Sequence, residues 1–250
     1  MPQLNAGALR SALQPLVGRC NVEWSKPATS GPPLAAGVAE FGLHRIAMLA
    51  IEAPTKEEVL ARTVAISPMP EELRRAMMSH RATLRLLYVG HSEEPLEQLT
   101  ALYQVAGAFV EAGALGILNE RAALAQPTEL VSRYLPQLGG PVPPVDLWIG
   151  VVTFLHGEEG SPRRFLMRTY GMEQFALPEL ALYMRDQSEA DDAYHTLMNV
   201  CLYIIESGPG VQITSGHNAE FRQHTYLFSD PGPNEPELAA PNGLLILIEV

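Results

Sequence analysis

The sequence predicts an α+β protein with mixed β-sheets, long helices and two related βαβ-containing halves. Short runs of β-branched and other apolar residues have the composition of strands, and longer segments between them have apolar residues three and four positions apart, as helices do. A stretch of the chain also repeats after 95 residues. Strands that alternate with long helices are typical of sheets covered by helices.

The predicted strands are short and spread over the chain: 45–51, 83–89, 115–118, 147–155, 165–169, 179–184, 211–214, 225–228 and 244–248. The predicted helices are 56–62, 71–78, 95–112 and 189–207. We expect the last strand to pair with a sheet, because a run of five apolar residues at an exposed edge would promote aggregation.

In the repeat, residues 83–118 align with residues 178–213 without a gap, and seven of the 36 aligned positions are identical. Each copy has a strand, an acidic turn, a long helix, a glycine and a second strand. Gly113 and Gly208 suit the end of a helix, where a left-handed residue is favourable only without a Cβ. The acidic residues suit a helix N-terminus, where they interact favourably with the macrodipole. The pattern indicates a duplicated α+β unit.

Proline-rich stretches suggest how the chain is divided. The stretch PQLGGPVPP at 136–144 continues neither a helix nor a central strand, so we place a boundary there. The predicted parts are a helical or irregular N-terminal extension (1–43), a first α+β half (44–140) and a second α+β half (141–250). Whether the halves form one domain or two is left open.

The boundary also divides the charge. Residues 1–140 hold 12 basic and 13 acidic side chains, a net charge of 12 − 13 = −1, whereas residues 141–250 hold 5 and 15, a net charge of 5 − 15 = −10. The second half is therefore the acidic one.

Composition excludes several classes of protein. With 250 residues, 47% of them hydrophobic and 18% charged, the chain can bury a core and is not disordered. A net charge of −11 argues against a nucleic-acid partner, because phosphate contacts need a basic surface. The sequence has neither the run of roughly 18 apolar residues that a membrane span needs nor a signal-peptide pattern. Cys20 and Cys201 form no disulfide or zinc pattern. We expect a reduced, cytoplasmic protein that does not associate with membranes.

Motifs for common cofactors and nucleophiles are absent. The sequence contains no GxGxxG, no GxxxxGK[ST] and no GxSxG, so dinucleotide, P-loop and standard α/β-hydrolase sites are not expected. Its seven histidines show no HxH or HExxH spacing. We therefore predict no cofactor and no metal site.

One constellation could support catalysis. Glu173 and Glu179 stand six residues apart, and paired carboxylates can act as acid and base when their surroundings separate their pKa values. With His156 and Arg168 they would form the site of a hydrolase-type enzyme. In the structural interpretation, Glu179 instead binds a buried backbone group or Arg168 and fixes the corner between two strands.

Acidic residues of the second half are candidates for binding a cationic partner. They lie in a predicted turn and at the start of the second long helix: Glu158, Glu159, Asp186, Glu189, Asp191 and Asp192. A charged hairpin loop and a helix macrodipole would explain the same residues without a partner.

The segment TYGMEQFALPEL at 169–180, with Leu147, Trp148 and the run ALGIL at 114–118, resembles the bacterial domain of unknown function 4261 family over about residues 44–228. Its glycine and Pro-Glu-Leu corner also resembles that of Suppressor-of-fused-like domains, many of which are thought to act as immunity proteins in bacterial toxin systems. The first family has no established catalytic residues, so the resemblance assigns none here. It implies a binding protein from a bacterial conflict or secretion context.

We therefore expect a non-catalytic protein-interaction module, an immunity protein or an adaptor of a bacterial toxin or secretion system. It would bind a basic protein through its acidic second half. The hydrolase-type enzyme and a structural assembly subunit are the alternatives. The sequence leaves the oligomeric state open.

Overall fold

The computed structural model of the chain describes residues 5–25, 35–110, 112–156, 164–208, 213–221, 224–231 and 238–250. The chain divides into two compact units: unit 1 comprises Met1–Glu120 and Leu124–Pro144, and unit 2 comprises Arg121–Ala123 and Val145–Val250. The main division, between Pro144 and Val145, lies four residues after the predicted boundary at 140/141. Helices occur with antiparallel and mixed sheets, which confirms the predicted α+β class.

Unit 1 combines helices with a four-stranded and a two-stranded sheet. Its helices are α1 (Ala6–Val17), α2 (Glu57–Arg62), α3 (Glu71–Met78), α4 (Pro95–Ala108) and α5 (Thr128–Tyr134). Its strands are β1 (Asn21–Ser25), β2 (Ala35–Phe41), β3 (His44–Ile51), β4 (Thr83–Tyr88), β5 (Gly116–Asn119) and β6 (Leu124–Pro127).

The larger sheet of unit 1 is antiparallel, in the order β1-β2-β3-β4. One of its faces is covered by α1 and α4, because Leu13 of α1 and Val105 of α4 are fully buried in one core with Ile46 and Met48 of β3. In β3 these buried residues alternate with more exposed ones, as a strand covered on one side requires. Strands β5 and β6 form the separate two-stranded sheet.

The predicted N-terminal extension, 1–43, is part of this sheet and not only a helical or irregular segment. Its strands β1 and β2 pair with each other, and β2 pairs with β3. The sequence of β2, AAGVAEF, has few β-branched residues and therefore does not resemble a strand. Gly37 in β2 is required by the neighbouring indole, since a Cβ there would lie 2.3 Å from the Trp24 ring.

Unit 2 is built on a six-stranded sheet and one long helix. Its elements are β7 (Gly150–His156), β8 (Arg164–Tyr170), β9 (Glu179–Met184), α6 (Ala190–Ser207), β10 (Asn218–Phe221), β11 (His224–Ser229) and β12 (Leu244–Glu249). The strand order is β10-β11-β12-β9-β8-β7, in which β12 and β9 run parallel and the other pairs antiparallel. The terminal apolar strand thus pairs with a sheet, as expected.

The two copies of the repeat share a strand followed by a helix, β4–α4 and β9–α6. Helices α4 and α6 begin 95 residues apart, at Pro95 and Ala190. The surroundings differ, because β4 is an edge strand whereas β9 lies inside its sheet. In the first copy the next strand, β5, belongs to the two-stranded sheet. In the second copy residues 211 and 212 lie outside the described residues, and 213–214 form no strand.

The two glycines of the repeat occupy different positions. Gly208 ends α6 with φ +70°, as predicted for a helix C-terminus. Helix α4 ends earlier than predicted, at Ala108, and Gly113 (φ +83°) closes the turns that follow. No helix of the described residues is long and apolar enough to cross a membrane.

Candidate functional site

The corner between β8 and β9, residues 168–180, contains most of the residues proposed for catalysis. Strand β8 ends at Tyr170, and Gly171 takes a left-handed conformation (φ +112°) before a short 3-10 helix, Met172–Phe175. Pro178 then immediately precedes β9. Proline has no N–H to donate to a neighbouring strand, so within sheets it is found mainly at strand starts and edges.

The Glu179 carboxylate holds this corner together from inside the protein. Its Oε2 accepts a hydrogen bond from the Thr169 hydroxyl (2.7 Å), and its Oε1 accepts from the Gly171 N–H (2.9 Å) and the Glu173 N–H (3.4 Å). The residue is 4% exposed. Thr169 Oγ1 also accepts the N–H of Leu180 (2.8 Å). Glu179 therefore binds buried backbone groups, as the structural interpretation of the sequence predicts.

Burial dominates the electrostatics of the corner. It raises the pKa of Glu179 above its ordinary value, although the Thr169 hydroxyl, the N–H groups of Gly171 and Glu173, and the Arg168 charge act in the opposite direction. Burial, together with the negative Glu179, also raises the pKa of the Cys201 thiol. Both effects disfavour the thiolate of Cys201 on α6, which is the nucleophilic form of cysteine.

Arg168 is buried beside this corner, with 6% of its surface exposed. Its guanidinium donates from Nη2 to the Ala239 carbonyl (3.2 Å) and lies 4.8 Å from the centre of the Tyr170 ring. Its Nε has no hydrogen-bond partner among the described residues. The side chain leans towards Tyr170, at the corner end of β8.

His156 lies at the other end of the same pair of strands. It pairs with Arg164, whereas Arg168 pairs with Val152. Four residues of strand separate the two positions, which is about 13 Å at 3.3 Å per residue. The His156 ring packs near Tyr183, with 5.9 Å between ring centres. The structure thus brings Glu173, Glu179 and Arg168 into one corner but leaves His156 at the far end of the sheet.

The corner has the features of a structural junction more than those of an acid–base site. The Glu179 carboxylate accepts hydrogen bonds from three donors, and one of them is the backbone N–H of Glu173. Gln174 Nε2 donates to the Trp148 carbonyl (3.1 Å), and the fully buried Trp148 ring packs against Phe175 (6.2 Å between centres). Sequence reasoning missed Thr169, because a threonine at the end of a strand is too common to be a signal.

The acidic candidates Asp186 and Glu189 lie just before α6, where Asp186 caps the 3-10 turn Gln187–Glu189 that precedes the helix. Asp186 Oδ1 accepts from the Ser188 N–H (2.8 Å), and the Ser188 hydroxyl, with that N–H, holds the pKa of Asp186 below its ordinary value. Glu189 Oε2 accepts from the Arg185 N–H (2.9 Å), and its Oε1 lies 3.6 Å from the Arg185 guanidinium. Both carboxylates therefore have local structural partners.

Asp191 and Asp192 differ from these two. Both are exposed in the first turn of α6, where the helix macrodipole favours negative charge. In the described parts of the chain neither forms a side-chain hydrogen bond or an ion pair. These two carboxylates are therefore accessible to a cationic partner. The remaining candidates, Glu158 and Glu159, lie outside the described residues.

The described residues contain a hollow but no cluster of metal ligands. No three His, Cys, Asp or Glu side chains there lie close enough to share a metal ion. A hollow of about 350 Å³ lies at the start of β9 and β12, lined among others by Pro178, Thr214, Asp230 and Asn242. Among the described residues that line the hollow, Asp230 has the one titratable side chain.

Comparisons with known proteins do not identify the chain. It matches no protein-family model, no curated protein and no solved structure.

Proposed function

We propose that the protein is a non-catalytic interaction module that binds a basic protein through the exposed start of α6. The observation that carries this proposal is the pair of exposed carboxylates, Asp191 and Asp192, without ion pairs among the described residues. They belong to the part of the chain that holds nearly all of the excess negative charge.

The physical role of such a surface is to accelerate and select association. Fixed negative charge attracts a basic partner over distances of about a Debye length, roughly 10 Å at 0.1 M salt, and disfavours acidic partners. Asp186 and Glu189 would add to the negative field while they bond to Ser188 and Arg185. The resemblance to bacterial immunity domains favours a basic toxin domain as the partner, and an adaptor of a secretion system is the related possibility.

The experiment measures binding of a basic protein captured with the full-length chain from an extract of its host. Association rates are compared for the unmodified protein, for Asp191→Asn/Asp192→Asn, and for Glu57→Gln/Glu58→Gln. The control pair also lies exposed in the first turn of a helix, α2 of unit 1, and removes the same charge. We expect the aspartate variant to associate about tenfold more slowly and the control to be unchanged.

Salt provides the second readout. Raising NaCl from about 50 mM to about 500 mM shortens the Debye length and should slow association of the unmodified protein far more than that of the aspartate variant. Binding through this surface would be disproved if the association rate changed neither with NaCl concentration nor on substitution of Asp191 and Asp192.

A further inference from the structure

Strand β4 leaves one edge of the unit 1 sheet open. It pairs with β3 on one side, and no strand of the described residues pairs with it on the other. Its sequence, TLRLLY, is rich in leucine and contains no proline. Native proteins usually protect such an edge with charges, prolines or a covering element, because it can pair with another chain.

The hydrogen-bonding direction of each residue in β4 follows from its register with β3. Ile46 is opposite Tyr88, and the Val89 N–H donates to the Arg45 carbonyl (2.8 Å), which continues the same register. Residues with odd numbers therefore bond to β3. The N–H and C=O groups of the alternate residues, Leu84, Leu86 and Tyr88, point to the open edge.

The sheet face beside this edge is apolar and exposed. Leu87 is 63% exposed, Val89 44% and Leu49, in the neighbouring strand, 39%. Leu87 and Leu49 lie on the face opposite the core, since Leu84, Leu86 and Tyr88 pack against that core. An apolar surface next to unpaired backbone groups is typical of a strand that pairs with another strand.

Charges at the two ends of β4 are opposite in sign. Arg81 precedes the strand and Glu93 follows it, and both are exposed without an ion pair among the described residues. An antiparallel arrangement of two identical strands places the start of one beside the end of the other. Each Arg81 would then face the glutamate end of the other copy, so the edge is complementary to itself.

We propose that two copies of this chain associate through antiparallel pairing of their β4 strands, with the two-fold axis at Leu86. In this register Leu84 is opposite Tyr88 of the other copy, so every outward N–H and C=O of the strand is paired. Arg85 is opposite Leu87, whose exposed side chain its methylene groups can cover. A register centred on Arg85 would place two arginines opposite each other, which is unfavourable.

The expected dimer is a weak one. Six residues of strand span about 20 Å, which gives an interface at the low end of the size range for specific complexes. We expect a dissociation constant on the order of 10 µM. Sedimentation velocity of the full-length protein from about 1 to about 200 µM covers this range.

The first test introduces a charge at the centre of the interface. Leu87→Lys places a lysine opposite Arg85 of the other copy, and we expect it to weaken the dimer about tenfold or more. Leu155→Lys is the matched control, because Leu155 is a 53% exposed leucine on β7, the edge strand of the unit 2 sheet. It should leave the dimer unchanged.

The second test exploits the opposite charges at the strand ends. In the proposed register Arg81 lies opposite His91 of the other copy, two residues from Glu93. Arg81→Glu alone and Glu93→Arg alone each place like charges near each other at both ends of the interface, so each variant should dimerise less than the unmodified protein. An equimolar mixture of the two variants restores an attractive pair at both ends. We expect the mixture to form a heterodimer with close to the original affinity.

The proposal is overturned if the unmodified protein is monomeric up to about 200 µM, if Leu87→Lys leaves the dimer intact, or if Leu155→Lys weakens it as much as Leu87→Lys does. Failure of the mixed variants to recover dimerisation would also reject the antiparallel register. None of these outcomes depends on Asp191 or Asp192, so the proposed binding of a basic partner is tested separately.

Discussion

The buried Glu179 carboxylate shows how a single side chain can replace water for several backbone groups. It supplies acceptors to the Thr169 hydroxyl and to the N–H groups of Gly171 and Glu173. A buried donor left without an acceptor costs about 1–3 kcal/mol, whereas the negative charge is itself unfavourable at this position. The geometry therefore requires the oxygen atoms more than it requires the charge.

This difference predicts unequal effects of two substitutions. Glu179→Ala removes the acceptors and should lower the free energy of unfolding by about 2–4 kcal/mol. Glu179→Gln keeps an oxygen for Gly171 and offers N–H groups to Thr169, whose hydroxyl can turn to the Leu180 carbonyl, 3.3 Å away. It should cost less than about 1 kcal/mol. Urea unfolding at pH 7 measures both values, with Glu173→Gln as the control.

The same substitution gives a pH dependence with a defined sign. Because burial raises the pKa of Glu179 in the folded state, the folded protein holds this proton more tightly than the unfolded chain. That contribution is complete below the ordinary pKa, 4.5, and is lost as the pH rises through the raised value. The stability of the unmodified protein relative to Glu179→Gln should therefore fall as the pH increases above 4.5. An increase in this relative stability above pH 4.5 would contradict a raised pKa for Glu179 in the folded protein.

At the scale of elements, the turn between β8 and β9 depends on one glycine. Gly171 has φ +112°, and a Cβ there would lie 2.5 Å from the Trp148 carbonyl oxygen. Gly208, at the end of α6, also has a positive φ (+70°), but a Cβ there would meet no atom of the described residues within 4 Å. The two glycines thus share a backbone requirement and differ in the space around them.

We expect Gly171→Ala to cost about 3 kcal/mol or more, because the carbonyl of Trp148 must move in addition to the strain of a left-handed alanine. Gly208→Ala should cost about 1–2 kcal/mol, which is the backbone strain alone. Urea unfolding of both variants measures the difference. Equal costs would mean that the close contact at Gly171 can relax freely.

Prolines and composition explain which elements the sequence predicts well. Helix α3 and strand β9 begin and end at the predicted residues, and each follows a proline, Pro70 or Pro178, that marks its start. Strands β1 and β2 were not predicted, because the small residues of β2 carry no strand signal and the need for glycine at Gly37 comes from the Trp24 ring of the neighbouring strand. Residues that start or end an element, such as proline, can be recognised in a sequence. Close packing between neighbouring strands cannot.

The residues of the candidate site could likewise be predicted from the sequence only in part. The sequence predicts that acidic residues lie at the start of α6 and that Glu179 binds a buried backbone group. It does not show which N–H groups Glu179 reaches, because the turn at Gly171 brings them together. It also suggests His156 as a partner of Glu179, since positions along the chain do not reveal that the two residues belong to opposite ends of a sheet.

Over the whole molecule, charge is distributed unevenly between the two units. Residues 145–250 carry 5 basic and 15 acidic side chains, so their net charge is 5 − 15 = −10. Few cations offset the exposed carboxylates in the described part of unit 2, where Arg185 is paired with Glu189 and Arg168 is buried. Repulsion among like charges opposes the compact state, and salt screens it.

Salt should therefore stabilise unit 2 more than unit 1. Raising NaCl from about 10 mM to about 200 mM shortens the Debye length from about 30 Å to less than 10 Å, which should increase the stability of unit 2 by on the order of 1 kcal/mol. Hydrogen exchange measures each unit separately: protection of the β9 amides should increase with salt, while that of the β3 amides should change little. An equal response of the two strands would show that the excess charge of residues 145–250 does not oppose folding of their unit.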